Sequence, residues 1–273
     1  MRRLSVASVG LACACIWLGS GCVERVQTML PLVSSNDVSV ATSSVPVLKW
    51  EVKSHGIERA CVEFSTSTAS TLILYRFTLA DHLFSFEQAT SGAAVSEWAK
   101  RLPEAIFVSN GVYFHEDQSS SGWLKTDNKV VGSRSFDLDK TALLVLQPQV
   151  EIKTTPEGQT TSKRTALEAA QSYPLLIVNG AAAIKTDSGK TSRRTFVGID
   201  KAHKYLYIGL VPYTSISLYE LGLALSRLPV SWESVLNLDG GPSSGISFRG
   251  PEGVELVDSY VTVPNVLVVT PRP

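Results

Sequence analysis

Two stretches of this chain repeat one order of apolar and polar positions. Val95, Trp98 and Leu102 recur at three- and four-residue intervals, which predicts a helix over Ala94 to Leu102 that Pro103 stops. The apolar run Ala105 to Val108 follows as a buried strand and ends in Ser109-Asn110-Gly111. Near the C-terminus, Leu218, Leu221, Leu225 and Leu228 mark one helical face, and Pro229 ends it. Ser217 and Glu220 fit a capping box at its start, so Glu220 reads as structural. Val235 to Leu238 is then a second buried strand, and Asp239 sits at its carboxyl end.

Strand-like runs also occupy Trp50 to Lys53, Ile57 to Phe64, Thr71 to Leu79, Leu175 to Val178, Thr195 to Ile199 and Tyr205 to Val211. A further helix is expected from Lys163 to about Ser172, and an alternating run over Val254 to Val269 closes the chain. Many hairpin-like strands with few helices predict an α+β fold, a mixed β-sheet core with a few packed helices, in a single domain over residues 49–273.

The N-terminus has a different texture. Arg2 and Arg3 precede the apolar stretch Leu4 to Leu18, and Gly19-Ser20-Gly21 runs into Cys22. This is an export signal over residues 1–21, too short and too rich in small residues to span a bilayer. Small residues leading directly into a cysteine resemble a bacterial lipoprotein cleavage site, which makes Cys22 the lipidated first residue of the mature protein. Val23 lacks the Asp that retains lipoproteins in the inner membrane, so the expected location is the outer membrane, facing the periplasm. Residues 22–48, rich in Ser, Thr and Val, read as a tether. Of the four cysteines, Cys13 and Cys15 leave with the signal and Cys22 carries lipid, so Cys61 is left without a disulfide partner. Its place in Arg59-Ala60-Cys61-Val62 reads as a small buried hydrophobe. With 25 basic and 25 acidic residues, the chain has no charge excess that would favour a nucleic-acid partner.

Chemistry concentrates in Leu236-Asn237-Leu238-Asp239-Gly240-Gly241-Pro242-Ser243-Ser244. Gly240 and Gly241 admit backbone conformations that expose N–H groups to an anion, and Ser243 and Ser244 add neutral donors. The plain alternative is a tight turn in which Asp239 bonds its own backbone. Gly241-Pro242-Ser243-Ser244-Gly245 also satisfies the pattern of a hydrolase nucleophile at Ser243, but no histidine follows His203 to complete that chain order. No cofactor is indicated. Asp239 and Asp200 leave a hard-cation site open, although no dense ligand motif requires a metal. His115, Glu116 and Asp117 read as a solvated loop, and His203 as part of a strand connection.

Five blocks, taken in order, resemble the phosphodiester glycosidase domain family. They are Asn110 to Phe114, Ser121 to Leu124, Arg194 to Ile199, Leu236 to Ser244, and Val263 to Val268, within roughly Trp50 to Thr270. The resemblance implies hydrolysis of a sugar-1-phosphodiester, releasing free sugar and a phosphate monoester, with a sugar phosphodiester or envelope polysaccharide as partner. The leaving phosphate already tolerates negative charge, so neutralising and orienting it matters more than protonating it. Arg194 is placed to bind it, since a guanidinium grips phosphate oxygens bidentately. Arg193, its neighbour on a strand, faces the other way and reads as solvated. The resemblance also implies that the Asn110 amide orients substrate beside Gly111. Asp239 binds sugar hydroxyls, activates water or attacks the anomeric carbon; the residues leave these three open. The chain departs from the family pattern at Val112, at Pro242 and at Pro212-Tyr213. Those departures carry the second reading, a non-catalytic envelope lipoprotein that binds glycan.

Overall fold

The computed structural model describes residues 47–65, 69–157 and 164–273. The export segment, Cys22 and nearly all of the tether lie outside the described residues.

Three sheets carry the chain. The largest has eight strands in the order β1 (Glu51–Val52), β2 (Glu58–Ser65), β3 (Ala69–Thr78), β14 (Tyr205–Ser217), β13 (Thr191–Asp200), β15 (Trp232–Asn237), β11 (Leu175–Val178) and β12 (Ala181–Ala182). A second runs β17 (Gly253–Val257), β16 (Ile246–Gly250), β5 (Phe107–Asn110), β18 (Val263–Pro271) and β4 (His82–Ala93). The third runs β7 (Lys129–Val130), β6 (Leu124–Thr126), β10 (Glu168–Ser172), β8 (Ala142–Gln147) and β9 (Glu151–Thr154).

The expected mixed sheet is corrected by these pairings, each antiparallel among the described residues. The fold is a sheet-rich α+β arrangement, and the two helices that matter for the site each cover one sheet. On the central strands, successive side chains enter different cores. Val197, Leu236, Phe107 and Leu267 face the main core, with Tyr75, Phe77 and Phe86. Phe196 and Val235 face the outer layer, with Leu221 and Leu225 of helix α2 (Leu218–Ser226). Val108 and Val266 pack against Val95 and Trp98 of helix α1 (Val95–Arg101). Burial on both faces explains why these strands read as continuous apolar runs.

The two proline-stopped helices form as their periodicity predicts, and Ser217 makes the capping box, accepting from the Glu220 N–H at 3.1 Å while the Glu220 carboxylate accepts from the Ser217 N–H at 3.2 Å. The closing run Val254 to Val269 divides into β17 and β18, and β14 continues to Ser217, beyond the expected end at Val211.

Two expectations are corrected. Of the helix expected from Lys163 to about Ser172, Arg164 and Thr165 are helical, Lys163 lies outside the described residues, and Glu168–Ser172 is strand β10. All five of its residues are buried between β6 and β8, and that pairing outweighs the helix propensity of its alanines. Cys61 is exposed, because the alternation of β2 turns Ala60 and Val62 inward and leaves the cysteine facing out.

Removing the Ser217 hydroxyl orphans the Glu220 N–H. Ser217→Ala is expected to lower unfolding stability by about 1 kcal/mol in a urea titration, without change of fold.

Candidate active site

The site forms where the chain crosses from the eight-stranded sheet to the sheet of β5. Leu238 N–H still donates to Thr195 of β13, at 2.9 Å, whereas the next residue, Asp239, donates to Gly111 after β5, at 3.1 Å. After a short 3-10 turn at Gly241–Ser243, the chain enters β16, where Ile246 pairs with Ser109.

Asn110 holds this crossing together. It is 0% exposed, and its Nδ2 donates to the Asp239 carbonyl at 2.7 Å. Its Oδ1 accepts from the Thr195 hydroxyl at 2.8 Å and from the Gly245 N–H at 3.1 Å. Its backbone N–H donates to the Gly245 carbonyl at 3.1 Å. The amide expected to orient substrate is therefore engaged within the protein, and Asn110 is a positioning residue. Gly111 is also structural. A Cβ there would lie 2.0 Å from Asn265 Oδ1, and that amide oxygen accepts from the Val112 N–H at 2.7 Å. Asn265, in the last family block, thus fixes the residue that follows Gly111.

Asp239 is half-buried, and burial raises its carboxyl above the ordinary aspartate value, against opposing hydrogen bonds from Ser243 and the Gly240 N–H. The Gly240 bond, at 2.8 Å to Oδ1, means that this N–H serves the carboxylate itself and not a bound anion. Ser243 is buried and also serves Asp239, which leaves it no histidine partner for a nucleophile role; His203, the last histidine, pairs with Glu233 at 2.5 Å. The glycines allow close packing: a Cβ on Gly240 would meet the Arg193 carbonyl at 3.0 Å, and Gly241, with φ 63°, abuts the Ser192 hydroxyl. Ser244 is fully buried, and its hydroxyl has no hydrogen-bond partner.

Arg194 lies beside this turn. Its Nε donates to the Ile216 carbonyl at 3.0 Å and its Nη2 to the Lys190 carbonyl at 2.8 Å. Burial pulls its pKa down, and among the described residues only the Tyr113 hydroxyl acts against this, with no carboxylate set against the guanidinium. Arg193 does face the other way, but it is not solvated. It is 8% exposed, with Tyr260 stacked over its guanidinium at 4.2 Å.

Residues without an expected role complete the surroundings. Tyr113 accepts from Asn237 Nδ2 at 2.6 Å, and its hydroxyl feels both Asp239 and Arg194; burial and Asp239 push its pKa up. Its ring lies 4.7 Å from that of Tyr173, over which Lys140 Nζ sits at 4.0 Å. The Asn237 Oδ1 is buried and unpartnered. Tyr113 and Asn237 stood inside the recognised blocks, where only their proximity to Asn110 and Asp239 marked them. Tyr173 and Lys140 come from remote segments and carried no signal.

Asp200 is not part of the site. It pairs with Trp232 at the far end of β15, five residues or roughly 16 Å of strand from Asn237. Its carboxylate accepts from the N–H groups of Lys204 and Tyr205 in the strand connection. A cation bound jointly by Asp239 and Asp200 is excluded by that separation. Among the described residues, no group of three His, Cys, Asp or Glu side chains is placed to hold a metal. His115, Glu116 and Asp117 are exposed. The cavity of about 480 Å³ lined by Phe84, Gln147, His203 and Arg272 includes none of the site residues.

The phosphodiester glycosidase family model matches residues 103–270, which includes every element of the crossing. The chain belongs to the phosphodiester glycosidase family. Its fold is similar to the catalytic domain of zebrafish N-acetylglucosamine-1-phosphodiester alpha-N-acetylglucosaminidase, a structure auto-inhibited by its pro-peptide, with a TM-score of 0.59, 16% identity and 85% of each chain covered. It is also similar to a hypothetical protein from Synechocystis, with a TM-score of 0.59 and 13% identity over 83% of this chain and 64% of that one. No curated protein matches the sequence. In this family member, the Asn-Gly block and the Asp-Gly-Gly block are two halves of one crossing.

Asn110→Ala leaves the Asp239 carbonyl, the Thr195 hydroxyl and the Gly245 N–H without their buried partner. A loss of about 3 kcal/mol or more is expected by urea unfolding.

Proposed function

We propose that this protein hydrolyses a sugar-1-phosphodiester of the bacterial cell envelope to free sugar and a phosphate monoester. The observation that carries this reading is the Tyr113 hydroxyl, on which both the half-buried Asp239 carboxylate and the Arg194 guanidinium act, the latter a cation with no carboxylate against it among the described residues. Ordinary glycoside hydrolysis uses two carboxyl groups, one to protonate the leaving oxygen. A leaving phosphate monoester needs no proton, and a fixed cation takes the place of the acid. Two backbone carbonyls anchor Arg194 through Nε and Nη2, so its charge is held in position before substrate arrives. Asp239, ionised, acts on the anomeric carbon by direct attack or through a water. The Gly240 and Ser243 hydrogen bonds fix the carboxylate for either route. Tyr113 and Tyr173 offer aromatic faces to the sugar. The zebrafish relative's name, an alpha-N-acetylglucosaminidase acting on a 1-phosphodiester, supports the reaction class. Glycan binding without turnover is the second reading, favoured by the Val112, Pro242 and Pro212-Tyr213 departures.

Incubation with a panel of sugar-1-phosphodiesters, following free sugar and phosphate monoester separately, tests the hydrolase reading. Wild type is expected to release both, and Asp239→Asn to lose about 10²-fold or more of kcat. Arg194→Gln is expected to lose about 10²- to 10³-fold. Binding of these esters with no release by wild type would leave the glycan-binding reading in place.

Both roles for Asp239 need the ionised form, so kcat/KM should rise with pH through an ionisation above the ordinary aspartate value of 3.8. The same raised value means that the folded state holds this proton more tightly than the unfolded chain does. The site's contribution to stability is therefore fullest below the unfolded value and is lost as pH rises through the folded one. Asp239→Asn, which removes the charge, should unfold at the same or higher temperature than wild type at neutral pH, and a lower Tm would contradict the assignment of burial as the cause.

The N-terminal pattern supports an exported, lipid-anchored protein of the outer membrane facing the periplasm, attached through Cys22. Cys22→Ser should move the protein from the membrane fraction to the soluble periplasmic fraction; unchanged membrane association would remove the anchor.

A further inference from the structure

Arg193 occupies an unusual position. Ser192 pairs with Ile216 and Arg194 with Val211, so Pro212, Tyr213, Thr214 and Ser215 bulge out of the ladder opposite Arg193. Proline has no N–H with which to continue the pairing. Among the described residues, the Arg193 guanidinium donates one long hydrogen bond, from Nη2 to the Asp258 carbonyl at 3.3 Å, while Nε and Nη1 are buried without partners. The Asp258 carboxylate attracts it but is engaged by the Ser96 N–H and hydroxyl and by the Ser259 N–H. Above the guanidinium lies the ring of Tyr260, a residue 76% exposed; Tyr213, 73% exposed, also acts on it.

A cation buried without a paired anion is costly, and the cost falls when an anion arrives. The Arg193 backbone borders the turn that carries Asp239, because a Cβ on Gly240 would meet the Arg193 carbonyl at 3.0 Å, and the stacked Tyr260 donates its N–H to the Pro242 carbonyl at 2.7 Å. Tyr113 and Tyr173 are half-buried, whereas Tyr260 and Tyr213, the two tyrosines that act on Arg193, are exposed.

We propose that Arg193, uncovered by movement of the Tyr260 ring, binds a second oxyanion on the aglycone of the substrate, with Tyr260 and Tyr213 flanking that group. The inference rests on the hydrolase reading of the same site and makes the natural substrate an anionic polymer or a doubly charged ester, with carboxylate or phosphate beyond the scissile linkage. Such a contact lies away from the reacting atoms, so it lowers KM and leaves kcat alone.

The test uses the full chain and two esters of the same sugar-1-phosphate, one with a neutral alkyl aglycone and one with a carboxylate on that alkyl group. Wild type should show a KM about tenfold lower for the charged ester at equal kcat, an advantage that shrinks as ionic strength rises. Arg193→Gln should erase the preference. Tyr260→Glu, at an exposed position that tolerates substitution, places a carboxylate over the guanidinium and should erase it as well. A wild type that does not distinguish the esters overturns the proposal, as does a preference that survives Tyr260→Glu. If neither ester is hydrolysed, the hydrolase reading fails, and equilibrium binding of the two esters to wild type and Tyr260→Glu decides the subsite by the same preference.

Discussion

The Asn110 amide is the constraint on which the site depends. Two sheets meet at a point where the chain must leave one ladder and join the other, and backbone groups at such a crossing have no ladder partner. A single buried amide resolves this, because it offers donor and acceptor together. It donates to the carbonyl of Asp239 and accepts from β13 and from the strand entry at Gly245. Each partner is buried or nearly so, and an unmade hydrogen bond there would incur the desolvation penalty of the group. The position of the Asp239 carboxylate is thus set by the bonds of its own carbonyl and N–H, to Asn110 and Gly111, and does not depend on substrate.

Electrostatics then separate the roles. Burial holds Asp239 toward its neutral form and holds Arg194 toward lower basicity, so each group is less well solvated than it would be in water. Such groups gain most from a partner that supplies the missing charge, and in the proposed reaction the phosphodiester supplies it to the arginine. A second, independent cation at Arg193 extends the same logic to the rim. Two departures from the family pattern adjoin it, since Pro212-Tyr213 forms the bulge opposite Arg193 and the Pro242 carbonyl anchors Tyr260. Their convergence gives these departures a common location around Arg193, away from the hydrogen bonds of the Asn110 crossing.

The architecture supplies rigidity for these charges. Central strands buried on both faces place Val197 and Phe196, or Leu236 and Val235, in different cores on successive residues. A shift of register by one residue would exchange both sets at once, so β13 and β15 are fixed in register, and with them Arg194 and Asp239. Val112, one of the departures from the family pattern, is buried in the main core.

The sequence by itself determined the two helices, their proline stops, the capping box and most strands, because these follow from local periodicity and from side chains bonding within three residues. It also singled out Asp239 and its glycines as candidate site residues, and its five blocks fall within the match to one family. Tertiary structure decided the rest. It made Glu168–Ser172 a strand, since pairing on both sides outweighs the intrinsic helix preference of alanine, and it turned Cys61 outward through the alternation of β2. It engaged Asn110, Gly111 and the Gly240 N–H within the protein, drew in Tyr173 and Lys140 from distant segments, and buried Arg193 under Tyr260. Each of these outcomes depends on contacts between residues far apart in the chain, and local pattern carries no record of which distant group will meet a given hydrogen-bond donor or charge.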